Sequence, residues 1–276
     1  AEEAIQLFKK NHNADVTPSQ LNQDEDVLDT WFSSWLWPIS VFDGFKDLGN
    51  KDIKYYYPTN DLVTAPENLF FWVARMIIAG YEYMNEKPFT NVYLTGIVRD
   101  KQGRKMSKSL GNSPDPLDLI AKYSADGVRV GMLLASPAGN DLLFDDSLCE
   151  QGRNFANKIW NAARFAHMYQ SDQQERQPVA DDTFAGRWIR SRLNHTIHLV
   201  TSELESYRFD RAANGLYQFF WHEYCDWYLE LIKPTLQSST ETPTPDGVKT
   251  RQTLRETLEV FLRLLHPFMP FITEEI

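Results

Sequence analysis

The sequence lacks several features that would define a class of protein at once. Its 276 residues include two cysteines, Cys149 and Cys225, and no CxxC pair, so neither a disulfide framework nor a bound zinc ion is indicated. No apolar run reaches membrane-spanning length, because the nearest, LFFWVARMIIAGY at 69–81, carries Arg75 in its middle. The N-terminus shows no signal-peptide pattern. These absences predict a reduced, cytoplasmic protein with no membrane partner and no metal site.

An excess of positive charge is also missing. The formal net charge is -10 and the pI is near 5.1, which argues against non-specific coating of nucleic acid. The cations that are present are grouped, and a local group can still create a binding field for anions. Residues 97–108 hold five cations and one acid, and residues 151–164 hold three cations and no acid.

The first half of the chain alternates strand and helix patterns. Residues 53–58 (IKYYYP) and 89–96 (FTNVYLTG) are aromatic and β-branched, as strands are. Between them, a helix is predicted from Pro66, which suits a first turn, to Gly80, which can end one. Strand, helix and strand form a βαβ unit with a parallel sheet. The cationic loop follows the second strand, at the carboxyl end where such sheets bind ligands.

From about residue 147, apolar residues recur at three- and four-residue spacing. Polar linkers at 171–182 and 237–247 separate the helical segments. The length exceeds one typical domain. The sequence therefore predicts an α/β domain over residues 1–146 followed by an all-α bundle over residues 147–276.

The loop RDKQGRKMSKSLGN, residues 99–112, suits a polyphosphate. Ammonium and backbone N–H groups after a parallel strand can meet the charge that develops on a transferring phosphoryl group. It is not a Walker loop, because GxxxxGK[ST] is absent, and no GxGxxG occurs. On spacing alone, a solvated basic loop is the commoner explanation.

The string KMSKS at 105–109, followed by Leu-Gly-Asn, resembles the signature loop of class I aminoacyl-tRNA synthetases. Further stretches resemble the valyl branch of that family; they are DEDVLDTWFSSWLWP (24–38), FFWVARMI (70–77), GRNFANKIWNAARF (152–165) and HPFMPFITEE (266–275). The isoleucyl branch usually has DVWFDSG where this chain has DTWFSS, so the valyl branch is favoured. The isoleucyl type, and a non-catalytic RNA-binding helical protein with a degenerate nucleotide loop, are the alternatives.

The resemblance implies the C-terminal part of a Rossmann-like catalytic domain, with its stem-contact region, followed by a helical anticodon-binding domain. It also implies that the chain is a piece of a longer enzyme, truncated within its last helix. The family's His-x-Gly-His signature is absent, as is an initiator Met, and the editing domain has no counterpart here. We therefore expect this chain alone to be inactive.

By the same resemblance, Lys105 and Lys108 are the catalytic residues, and Lys108 contacts the departing pyrophosphate. The ATP-binding loop comprises Lys105, Met106, Ser107, Lys108 and Ser109, and ATP arrives with Mg²⁺ as a substrate. Met106 is expected to pack the loop onto the sheet, and the two serines to shape it. Partners are ATP, valine and tRNA(Val), and a monomer is expected.

Three residues are implied in the amino-acid pocket. Trp31 and Trp72 match the positions that wall it. Glu67, in TAPEN at 64–68, falls where many members carry aspartate, one methylene shorter. The alternative for Glu67 is that it only complements a helix dipole.

The resemblance also implies that a polar helical face contacts tRNA phosphates. The residues of this face are Arg153, Asn157, Lys158, Asn161 and Arg164. The alternative is a solvated face. The segment ADGVR at 125–129 resembles the family's link to tRNA-stem contact, and an Asp126–Arg129 pair within a helix is the structural alternative.

Overall fold

A computed structural model describes residues 2–136, 139–169, 183–240 and 242–276. The linker predicted at 171–182 lies outside the described residues. The chain divides into two compact units. The first comprises the chain through Leu62 together with Glu67–Asn91, and the second comprises Val63–Pro66 together with Val92–Ile276. The domain boundary at residues 146 and 147 stays a prediction.

The first unit is built from short helices and two longer ones of 11 residues each. They are α1 (Glu2–His12), α2 (Thr30–Trp35), α3 (Trp37–Ser40), α4 (Lys51–Tyr56), a π-helical turn (Leu69–Val73) and α5 (Ala74–Met84), with single 3₁₀ turns at Pro18–Gln20 and Pro66–Asn68. Its small apolar cluster consists of Ile39, Ile53 and Tyr57, with Phe42 and Met84 packed against it.

The strand predicted at 53–58 is wrong, because residues Lys51–Tyr56 form α4. Asn50 caps this helix by accepting a hydrogen bond from the Ile53 amide at 2.9 Å. Ile53 is buried, whereas Tyr55 and Tyr56 are exposed and Tyr56 stacks on Phe42. A cap and one buried anchor thus outweigh the preference of aromatic residues for strands.

The predicted βαβ unit is present with its first strand moved down the chain. Strand β1 (Thr59–Thr64) pairs with β2 (Phe89–Leu94). The Thr59 amide donates to Pro88 O and the Thr95 amide to Thr64 O, so the two strands are parallel. The helix between them ends later than predicted, at Asn85 with φ 57°. Gly80 is a buried packing position, where a Cβ would lie 2.6 Å from Glu86 O.

In the second unit, β3 (Val98–Arg99) has β4 (Leu142–Leu143) as its parallel partner. Between them lie the cationic loop, α6 (Pro116–Tyr123) and α7 (Ala125–Leu134). Helix α7 packs tightly on α8 (Asp146–Met168) through glycine. A Cβ at Gly152 would lie 2.0 Å from Gly127 O, and one at Gly131 would lie 2.1 Å from Leu148 O. These positions allow the two backbones to touch.

The predicted helical periods are confirmed in the described part of the chain. They form α9 (Phe184–Glu205), α10 (Phe209–Gln218), a π-helical segment (Phe219–Tyr228), α11 (Leu229–Ser238), α12 (Pro245–Leu265) and α13 (Pro270–Glu275). With α8 they enclose one large apolar core, whose largest fully buried side chains include Phe155, Phe220, Tyr224 and Phe261. The α/β-then-helical fold class is therefore confirmed.

Candidate active site

The cationic loop leaves β3 through a tight turn. The Asp100 amide donates to Arg104 O at 2.9 Å and the Gly103 amide to Asp100 O at 2.8 Å. Gly103 has φ +77°, a conformation that glycine adopts without strain. Arg99 and Lys105 then form an antiparallel bridge. The chain thus turns back on β3 before it reaches the KMSKS residues.

Asp100 fixes the base of this loop and is only 8% exposed. Its carboxylate accepts from the amides of Gln102 and Arg104 at 3.0 and 2.9 Å, and from Arg104 Nε at 2.7 Å. The Asn112 side-chain amide donates to it at 3.0 Å. The hydrogen bond from Asn112 is the largest cause that lowers the pKa of Asp100 to about 2, and the bonds from Arg104 and Gln102 add to it.

Asn112 holds the loop from its other end. Its Oδ1 accepts from the Ser107 amide at 2.9 Å, and its Nδ2 also donates to Lys105 O at 3.3 Å. The loop then closes with a 3₁₀ turn, Lys108–Leu110, in which Ser107 Oγ accepts from the Leu110 amide. The Ser107 and Ser109 hydroxyls lie 3.1 Å apart. Ser107 thus stabilises the turn, and the shaping role expected of both serines stays a prediction.

Met106 attaches the loop to the protein interior. It packs against a buried cluster of Tyr123, Phe144 and Cys149, to which Val98 of β3 also belongs. The expected packing of Met106 is thereby confirmed. Met106 and Ser107 are half-buried, whereas Lys105 and Lys108 are exposed.

The remaining cations of the loop engage carboxylates. Arg99 pairs with Asp141, Lys101 Nζ lies 2.7 Å from Asp145 Oδ2, and Arg104 pairs with Asp100. The hydrogen bond from Lys101 is the main cause that lowers the pKa of Asp145 to about 2. Arg99, Lys101 and Arg104 therefore brace the loop through carboxylates.

Trp31 and Trp72 lie together in the first unit. Their ring centroids are 5.1 Å apart, and the Phe71 ring packs edge-on against Trp31 at 5.8 Å. The Arg75 guanidinium lies over the Trp31 ring, 3.8 Å from its centroid, and donates to Phe71 O at 3.0 Å. In the sequence, Arg75 stood out only as a charge in an apolar run, and no signal linked it to Trp31.

Glu67 lies in the 3₁₀ turn Pro66–Asn68 and is exposed. The following residues form the π-helical turn rather than the first turn of a regular α-helix. Glu67 therefore precedes helical structure. This position is compatible with a role in the amino-acid pocket and with a role in complementing the helix dipole.

The polar face of α8 is exposed at Arg153, Asn157, Asn161 and Arg164. Lys158 differs from these residues. Its Nζ lies 3.2 Å from Asp226 Oδ1 and 5.0 Å from the centre of the Trp221 ring, so it is bound to the π-helical segment. The structure thus groups four of the five predicted residues on one open face.

Asp126 and Arg129 both reach the HPFMPF segment rather than forming an internal pair. The buried Asp126 carboxylate accepts from the Ile272 amide at 2.7 Å, at the start of α13. Arg129 donates to Pro267 O and Phe268 O at 3.1 and 3.2 Å. The sequence offered each motif separately and no signal that they were partners.

In the part of the chain that the structure describes, no cluster of three or more His, Cys, Asp or Glu side chains could hold a metal ion. None of the described helices is long and apolar enough to cross a membrane.

Comparison with known proteins gives two family matches. Residues 1–145 match the model for tRNA synthetases class I (I, L, M and V), and residues 186–276 match the anticodon-binding domain of tRNA ligase. The chain is 56% identical over all 276 residues to the valine–tRNA ligase of Parabacteroides distasonis. It is 48% identical over 256 residues to that of Pseudothermotoga lettingae. It spans 31% and 29% of the lengths of these relatives.

Solved structures share the fold at lower identity. The LeuRS–tRNA–LeuAMS ternary complex from Agrobacterium radiobacter K84 matches 92% of this chain, and 31% of its own, with a TM-score of 0.70 at 23% identity. Methionyl-tRNA synthetase of Mycobacterium tuberculosis, bound by methionyl-adenylate, matches 89% of this chain, and 48% of its own, with a TM-score of 0.71 at 20% identity. With a family match over residues 1–145 and an intact KMSKS loop, the chain belongs to the class I tRNA synthetases (I, L, M and V).

Proposed function

We propose that this chain supplies the KMSKS loop and the helical tRNA-binding part of a valine–tRNA ligase. The observation that carries the proposal is the architecture of the loop. Asp100 and Asn112 hold its backbone, and Lys105 and Lys108 are exposed on it. The 56% identity to a valine–tRNA ligase over the whole chain supports valine as the amino acid.

The reaction requires no proton abstraction by the loop. The valine carboxylate, already an anion, attacks the α-phosphorus of Mg·ATP; a carboxyl O–P bond forms while the bond to pyrophosphate breaks. Negative charge grows on the departing pyrophosphate, and Lys108, supported by Lys105, stabilises it there. The rigid loop keeps these ammonium groups in place, so that little reorganisation accompanies the step. A hydroxyl of the terminal ribose of tRNA(Val) then attacks the carbonyl carbon of the adenylate; an ester bond forms, the bond to phosphate breaks, and AMP leaves with the hydroxyl proton passing to its phosphate or to solvent.

For the amino-acid side, we propose that Trp31 and Trp72 wall the valine side chain, with Arg75 holding the Trp31 ring. The contact between their rings in the first unit supports this assignment. A flat aromatic wall excludes larger side chains, although one methylene is worth only about 1–3 kcal/mol of discrimination. Glu67 is proposed to meet the ligand's ammonium group or ribose hydroxyls.

For the tRNA, we propose phosphate contacts along the exposed face of α8, in addition to the anticodon-binding bundle. The match to an anticodon-binding model over 186–276 supports the second contact. Lys158 is the weakest member of the predicted set, because Asp226 and Trp221 already engage it. A cytoplasmic location and a monomeric state stay predictions.

The test is a chimeric enzyme. In the Parabacteroides distasonis enzyme, the matching segment is replaced by this chain, and amino-acid-dependent exchange of labelled pyrophosphate into ATP is measured. We expect valine-dependent exchange within about tenfold of the unaltered enzyme, since the segments are 56% identical. Isoleucine and threonine are the comparison substrates.

Two outcomes would overturn the proposal. Exchange that prefers isoleucine would assign the chain to the isoleucyl branch. A folded chimera that binds tRNA without exchange would favour the non-catalytic RNA-binding alternative. The unaltered enzyme, purified in parallel, is the control for both.

A further inference from the structure

We propose that Asn112 is the positioning residue of the KMSKS loop: it sets the direction of Lys105 and Lys108 before phosphate arrives. This inference rests on the proposed function, because it assigns Asn112 a role toward the same phosphate chemistry. In this proposal Asn112 takes no direct part in the chemistry of Lys105 or Lys108. It acts through the backbone that carries them.

The first argument is the number and placement of its bonds. Asn112 Oδ1 accepts from Ser107 N, while Nδ2 donates to Lys105 O and to the Asp100 carboxylate. Lys105 and Ser107 stand on either side of Met106. One amide thus fixes both backbone neighbours of the residue that attaches the loop to the interior.

The second argument is that the anchor itself is fixed. Asp100 is buried and immediately follows β3, and three hydrogen bonds from Gln102 and Arg104 hold its carboxylate. Asn112 therefore joins the far end of the loop to a rigid point on the sheet. Gly103 and Gly111, both with positive φ, lie on either side of the KMSKS residues and would otherwise allow wide motion.

The third argument is chemical. The site requires a group that accepts one hydrogen bond and donates two within a short planar side chain, which describes the asparagine amide. Aspartate would set a second carboxylate beside Asp100, and serine or alanine would leave at least one partner without its bond. Fixing the two lysines in advance removes an ordering cost that phosphate binding would otherwise meet.

The experiment is a double-mutant cycle in the chimera with the Parabacteroides distasonis enzyme, which supplies the rest of the ATP site, with inorganic pyrophosphate as the probe. Affinity is measured by calorimetry for wild type, N112A, K108A and N112A/K108A. Hydrogen exchange is followed at the Ser107 amide, which Asn112 protects. The matched control is Q102A, an amide side chain of the same loop whose Oε1 contacts Arg104.

We expect N112A to weaken pyrophosphate binding about tenfold and to speed exchange at Ser107, with the protein still folded at the assay temperature. In the K108A background the effect of N112A should shrink, because positioning matters only while the lysine is present. Q102A should behave as wild type. Should N112A unfold at that temperature, N112L, which keeps the branched shape of the side chain, replaces it in the same cycle.

Two results overturn the inference, and they are distinguishable. If K108A weakens binding while N112A does not, or if the two effects simply add, Asn112 does not position the lysine. If wild type does not bind pyrophosphate, or K108A binds it as tightly, the proposed function itself fails and this inference fails with it.

Discussion

Asp100 shows how a single residue can organise a cationic loop. It is the one acid among residues 97–108. In the sequence it reads as an interruption of positive charge, whereas in the structure it is the buried acceptor of four hydrogen bonds. Its charged form is the one that the loop stabilises, so the pKa is lowered to about 2.

This pKa predicts how the loop responds to acid. A carboxyl group with a lowered pKa in the folded state stabilises that state above its ordinary pKa of 3.8, and the contribution disappears as the pH falls toward 2. We expect protection of the Gln102 and Arg104 amides from hydrogen exchange, corrected for the intrinsic rate, to be full above pH 4 and to decline below it. The Ser124 amide, which donates to Ile120 O, is the control. Protection that stays constant down to pH 2 would contradict this account.

At the scale of elements, helices α7 and α8 are held by backbone contact. Glycine at 127, 131 and 152 leaves no side chain between the two helices. Helix α7 follows the loop and α6, and α8 continues into the helical core. The contact therefore joins the region that carries the loop to the bundle within the second unit.

Gly152→Ala should destabilise the chain. Its Cβ would lie 2.0 Å from Gly127 O, and backbone on both sides cannot yield as a flexible side chain can. We expect a loss of about 3 kcal/mol in the free energy of unfolding, at the upper end for overpacking. Urea denaturation measures it, with N154A on the exposed side of the same helix as the control. A variant as stable as N154A would show that α7 and α8 do not touch there.

The exposed face of α8 leads to a prediction about tRNA affinity and its dependence on salt. R153A and R164A should each weaken tRNA binding, and the fall of log K with log salt should become shallower because fewer counterions are released. The control is K46A, an exposed lysine of the first unit whose Nζ lies 2.8 Å from Asp43 Oδ1. Filter binding across a salt series gives both quantities. If affinities and slopes match those of K46A in well-folded variants, α8 is not part of the tRNA footprint.

For the whole molecule, the sequence alone yields the fold class, the helical segments and the family. The long helices can be predicted because their apolar residues recur at regular spacing and are buried. The family can be predicted because KMSKS and its flanking motifs are specific to it. The strand predicted at 53–58 fails because a side-chain cap at Asn50 and burial of Ile53 decide that segment. The helix end predicted at Gly80 is wrong because this glycine instead packs against Glu86 and Pro88, and that packing arises from tertiary structure.

The candidate site, too, could be predicted from the sequence only in part. Residue type and motif predict that Lys105 and Lys108 matter, yet they do not show which cations of the loop are structural. That distinction depends on Asp141 and Asp145, which lie about 40 residues further along the chain. Likewise, Arg75 over Trp31 and Asp126 at the start of α13 are contacts between distant segments. Periodicity and motif spacing carry no information about such pairs.

The most direct test of the account compares two lysines of one loop. In the chimera with the Parabacteroides distasonis enzyme, the single-turnover rate of valyl-adenylate formation is measured for K108A and for K101A. Both residues are exposed, but Lys101 pairs with Asp145, whereas Lys108 is proposed to meet charge that appears only in the transition state. We predict that K108A is slower by ~10²–10³ with little change in KM, and that K101A stays within about threefold of wild type. Equal rates for K108A and K101A, or a rise in KM alone for K108A, would contradict the account.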